Sequence, residues 1–135
     1  RTFSSAASDV YKRQLLYREK ISTYRVNTEL LYNVTISVDP EVQASWLSWM
    51  LEEHLRDMLG TGCFLGFRFS ELSADGVDGP TYTVQYELAS QADFSRYESD
   101  HAPAMRQKGL EKFGTKALAF RSTMRVLAQG ALRDQ

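Results

Sequence analysis

His54 and His101 are the two histidines of the chain. Imidazole is the side chain best matched to proton transfer near neutrality. His54 falls one helical turn after Met50, and His101 one turn after Tyr97, just ahead of Pro103. Neither has a carboxylate at a set spacing, and a lone histidine on a helix is more often a packing residue or a cap near a helix break. Two distant histidines do not make a metal site, since zinc takes three or four ligands; Cys63 would join them only by accident of folding. No metal is expected. The run Gly60–Cys63 follows a helix and lacks a Gly-Lys-Ser/Thr ending, so it reads as a helix stop rather than a phosphate loop. No nucleophile elbow, dinucleotide fingerprint or zinc-finger spacing occurs, and no cofactor is expected.

The second set of groups is cationic and polar. Arginine forks suit carboxylate or phosphate. By strand parity Arg68, Arg121 and Arg125 share one sheet face with Asn33, Thr35, Ser70, Thr83, Gln85, Glu87 and Thr123. Two readings stand: a solvated face, which antiparallel sheets commonly have, or the wall of a cavity closed when two such sheets meet in a dimer. In the second, Arg68, Arg121, Arg125, Gln85 and Asn33 bind a small anionic ligand. A third set is aromatic: Trp46, Trp49, Phe64, Phe67, Phe69, Tyr82 and Tyr86 could line an apolar pocket, though rings at such periods more often form core.

The elements that must position these groups follow from periodicity. Leu30–Val38 alternates, with Leu30, Tyr32, Val34, Ile36 and Val38 on one face. Asp39-Pro40-Glu41 starts a helix that runs to about Leu59. Its stripe is Trp46, Leu47, Met50, Leu51, His54, Leu55 and Met58, and Gly60 and Gly62 stop it. Cys63–Leu72 is a strand with Leu65, Phe67 and Phe69 on one face. The turn Asp75–Pro80 leads into the strand Thr81–Ala89, which buries Tyr82, Val84, Tyr86 and Leu88. Ser90 with Asp93 begins a helix carrying Phe94, Tyr97 and His101. Pro103 divides it near His101, and a second half with Met105, Leu110 and Phe113 ends at Gly114. A last strand, Lys116–Leu127, presents Leu118, Phe120, Met124 and Val126 to the core. The order β-α-β-β-α-β predicts an α+β, ferredoxin-like sandwich: a four-stranded antiparallel sheet with two helices on one face.

With 135 residues, 43% of them hydrophobic and 24% charged, the chain suits one globular domain. A net charge of −1 gives no basic field for nucleic acid. The sheet also lacks paired stacking rings on its exposed face, so no RNA-recognition signature is present. One cysteine excludes an intrachain disulfide and suits a reducing, cytoplasmic setting. No apolar run approaches a membrane span, and no signal-peptide pattern is present.

Residues 4–14 read SSAASDVYKRQ, which resembles the in-frame translation of a transposase-based sequencing adapter. The expected organisation is therefore read-through over 1–14, an upstream arm of unsettled origin over 15–28, the domain over 29–129 and a frayed tail over 130–135. A genuine flexible tail over 4–14 is the alternative.

From about Leu31 to Val126 the chain resembles a bacterial family of domains of unknown function, numbered 4286. The matching pieces are LYNVTISVD, the W-x-x-W-M-x-x-x-H pattern at Trp46–His54, TGCF at Thr61–Phe64, TYTVQY at Thr81–Tyr86, HAPAMR at His101–Arg106 and KFG…AFRS at Lys112–Ser122. Glu29 stands where the family has a starting methionine. The resemblance implies a fold of the dimeric α/β-barrel type and no activity. Together these readings predict a homodimeric ligand-binding or interaction module. The alternative is a cofactor-independent enzyme, like the monooxygenases and isomerases built on such barrels, using His54 or His101; it rests on fold analogy.

Overall fold

A computed structural model of the chain describes residues 28–132. The segments 1–14 and 15–27, where the leader and arm are expected, lie outside the described residues, as does the end of the tail, 133–135.

Strand β1 (Leu30–Val38) is the centre of the fold. Its alternation buries Leu30, Tyr32, Ile36 and Val38. It pairs antiparallel with β3 (Thr81–Leu88) on one side and β4 (Ala117–Arg125) on the other. β2 (Gly66–Glu71) adds to the outer edge of β3, giving the order β2-β3-β1-β4. Two helical crossovers onto one face produce this order, so the domain is a ferredoxin-like α+β sandwich, as the sequence predicts.

Local signals place the helices. Asp39 is extended and accepts a hydrogen bond from the Glu41 N–H at 2.8 Å, so the chain enters a 3₁₀ turn at Pro40–Val42. α1 (Gln43–Trp49) follows, then a π-turn over Met50–His54, then α2 (Leu55–Gly60). The left-handed φ of 74° at Gly62 stops this arm. Ser90 accepts from the Asp93 N–H at 3.2 Å and caps α3 (Gln91–Asp100). His101 then breaks the helix, and α4 (Ala102–Phe113) restarts with Pro103 in its first turn.

Three expectations need correction. In the first arm Leu51 is 61% exposed and Trp49 is buried. The π-turn is the cause: the Leu55 N–H bonds to the Met50 carbonyl five residues back, which shifts the buried stripe. In β4 the parity is the reverse of that predicted. Register sets Arg125 opposite Leu30, Thr123 opposite Tyr32, Arg121 opposite Val34 and Ala119 opposite Ile36. Directly opposed residues share a face, so Arg121, Thr123 and Arg125 lie on the helix side. Leu118, Phe120 and Met124 occupy the open side, 60%, 70% and 39% exposed. The Leu65–Phe67–Phe69 face is also shorter than predicted, since β2 begins at Gly66 and Leu65 is exposed.

Candidate functional site

β4 turns small side chains, Ala117 and Ala119, toward the helices, where a bulky row would have filled the layer. A cavity of about 320 Å³ remains there, between the β1–β4 half of the sheet and the helices. Its floor includes Tyr32, Val34 and Ile36 of β1, its walls Trp46, Trp49 and Met50 of the first arm, and its far side Met105, Gly109 and Phe113 of α4. That volume lies within the range of small-molecule sites, and a mostly apolar lining with a few polar groups is their usual composition.

A few polar groups share this lining. His54 lines the cavity with its imidazole stacked on Trp49, ring centroids 4.5 Å apart. In a regular α-helix residues five apart point roughly 140° away from each other; the π-turn brings this pair together. Burial pushes the His54 pKa down from 6.5 to about 4; Asp57 opposes the shift, and Lys108 and Arg121 add to it. His54 is therefore uncharged near neutrality, and its Nδ1 is buried with no hydrogen-bond partner. Arg121, on β4, lines the same cavity and acts electrostatically on both His54 and Tyr97. Arg106, on α4, is a third polar group of the wall. The adjacent Tyr32 hydroxyl holds its pKa above the usual guanidinium value, and Glu98 pairs with it at 3.1 Å. The Tyr97 hydroxyl donates to the Met58 sulfur at 3.5 Å, and burial raises its pKa, so the phenol stays protonated.

The structure divides the residues predicted to act together. Arg121 and His54 meet at the cavity. Arg125 shares the helix side but lies at the Leu30 end, outside the cavity lining. Arg68, Gln85 and Asn33 sit in register with one another on the open face, so a single site of five residues does not form. Asn33 there donates to the Thr35 hydroxyl at 3.3 Å. His101 stands at the α3–α4 junction, its ring stacked over Tyr97 with centroids 6.5 Å apart, off the cavity. Its carbonyl accepts from the Met105 N–H at 3.1 Å, the work of a helix junction. Of the predicted aromatic liners, Trp46, Trp49 and Tyr86 reach the cavity, Phe64, Phe69 and Tyr82 pack elsewhere in or against the core, and Phe67 is exposed. Arg106, Tyr97 and Tyr32 were not singled out as site residues. A signal for Arg106 exists: Ala102, Met105, Arg106, Gly109, Leu110 and Phe113 recur at helical spacing, so Arg106 belongs to the inward stripe of α4.

No helix among the described residues is long and apolar enough to cross a membrane. No curated protein matches the chain. Among solved structures, an ethyl tert-butyl ether (EthD) family protein from Bacillus halodurans is similar at 8% identity and a TM-score of 0.55, over 69% of this chain and 96% of that one. A dimeric ferredoxin-like protein from an uncultured marine organism aligns at 13% identity and a TM-score of 0.47, over 76% of this chain and 99% of that one. The first of these likenesses is one of fold alone. Residues 29–127 match the family described as Domain of unknown function (DUF4286), and the chain belongs to that family.

Proposed function

We propose that this domain is a homodimeric module that binds a small anionic molecule in the cavity between sheet and helices. The observation that carries the reading is that Arg121 and His54 line one mostly apolar cavity of about 320 Å³, with Arg121 acting electrostatically on His54. The single free thiol, the buried Cys63, suits a cytoplasmic setting. A second copy covers the open sheet face. Leu118, Phe120 and Met124 lie exposed there along an edge strand, an arrangement proteins ordinarily cover. Strand spacing and rise give that face roughly 20 by 27 Å, so two of them bury on the order of 1,000 Å² together, about the lower bound for a specific interface. Arg68 and Glu87 are its charged groups, one of each sign, so a copy of itself meets no like-charged field.

The experiment is a thermal-shift screen of small organic acids against the wild type and Ala119→Leu, whose longer side chain fills the cavity. At least one acid raises the melting temperature of the wild type by several degrees, and the rise is lost in the variant. A screen without a shift, or shifts equal in the two proteins, overturns the reading. A second reading, a cofactor-independent enzyme, retains His54 because that imidazole lines the cavity, whereas His101 does not. His54→Gln separates the two. A binding module leaves the acid intact in the wild type and the variant alike; an enzyme converts the bound acid and loses that conversion in the variant.

A further inference from the structure

We infer that the cavity takes a planar aromatic monocarboxylate, its carboxylate on the guanidinium of Arg121 and its ring beside Trp49 and His54. This names the ligand class for the site proposed above and rests on that reading.

Charge bookkeeping around the cavity selects a monoanion. Arg106 is paired with Glu98 at 3.1 Å, and Lys108 with Asp57 at 3.4 Å. Arg121 has no hydrogen bond or ion pair among the described residues. His54, half-buried and stacked on Trp49, adds no charge near neutrality. One positive charge is left over. A carboxylate matches it and can take two parallel N–H donors from the fork. A phosphate dianion brings a second negative charge with no partner, against the cost of desolvating it.

Size and wall chemistry select the rest of the molecule. An apolar cavity of about 150 Å³ accommodates benzene, so about 320 Å³ admits two fused rings or one substituted ring. Rings dominate the walls. Phe113 meets Trp49 edge-on at 5.4 Å, Trp49 stacks on His54, and Tyr97 tilts against Tyr32 at 5.8 Å. Met50 and Met105 complete the wall, and thioether sulfur makes favourable contacts with aromatic ring edges. An alkyl chain of the same volume makes neither the ring–ring nor the sulfur–ring contacts.

The test is isothermal titration of the full chain with four probes: 2-naphthoate, the neutral 2-naphthalenemethanol, the dianionic 2-naphthyl phosphate and the aliphatic decanoate. 2-Naphthoate binds about tenfold or more tightly than the alcohol, as one charge-assisted contact implies, and more tightly than the phosphate, which carries an unpartnered second charge, and decanoate, which lacks the ring contacts. Arg121→Gln lowers its affinity to that of the alcohol, and Arg121→Lys, which keeps the charge, retains most of the difference. Binding of 2-naphthoate unchanged in Arg121→Gln overturns the inference. So does decanoate or the phosphate binding as tightly as 2-naphthoate; if Ala119→Leu then weakens that binding, the cavity is still the site and only the ligand class is wrong. Absence of binding by all four probes also overturns the inference, and the organic-acid screen with Ala119→Leu then decides the cavity reading separately.

Discussion

The imidazole of His54 stacks on Trp49 while its Nδ1 meets no partner, and burial holds its pKa near 4 rather than 6.5. The folded value lies below the unfolded one, so between them the unfolded chain binds more protons. The stabilisation is complete above pH 6.5 and is lost as the pH falls from 6.5 toward 4. It amounts to on the order of 3 kcal/mol. Urea denaturation at pH 7 and pH 4.5 checks this: the wild type loses stability across the interval, and His54→Phe loses markedly less. Equal losses in the two proteins contradict a depressed His54 pKa. The presence of two helical histidines was legible in the sequence; which of them faces a cavity was not. His54 and His101 each follow an apolar residue by one turn, and what separates them is tertiary. One lines the cavity beside Trp49, and the other closes a helix junction against Tyr97.

β4 is the element on which the sequence misled. In β1 and β3 one face is Tyr, Val, Ile and Leu and the other, Leu31 apart, is Thr, Ser, Asn, Gln and Glu, so parity follows from the pattern. In β4 one face is Leu118, Phe120 and Met124, and the other Ala119, Arg121 and Arg125. A rule that sends bulk to the core selects the wrong side, because the bulky row lies on the open face and the small one leaves the cavity. If a second copy covers that row, Phe120→Glu separates the protomers. Size-exclusion chromatography with light scattering then gives a dimer for the wild type and a monomer for the variant, at unchanged helix content. A wild-type monomer at high concentration contradicts the interface. The helix starts, by contrast, were legible, because Asp39 and Ser90 act within three residues of themselves. The π-turn was not, since nothing in MLEEH marks a five-residue hydrogen bond and only packing reveals which face is buried.

At the scale of the whole molecule the sheet has two sides of different chemistry. The helix side holds the buried rings, the cavity and the Arg121–His54 pair. The open side holds Arg68, Gln85 and Asn33 beside the apolar row of β4. The β-α-β-β-α-β order was readable because each element carries its own period and cap. The division of the arginines between the two sides depended on one register, that of β4 on β1. The location of the ligand is therefore the most direct check. Amide chemical-shift mapping of the isotope-labelled chain during titration with 2-naphthoate reads both sides at once. Perturbations concentrated at Trp49, His54, Gly109, Ala119 and Arg121, with Arg68, Thr83 and Gln85 unmoved, are the predicted result. Perturbations centred on Arg68, Thr83 and Gln85 would contradict it and place the site on the open face of the sheet.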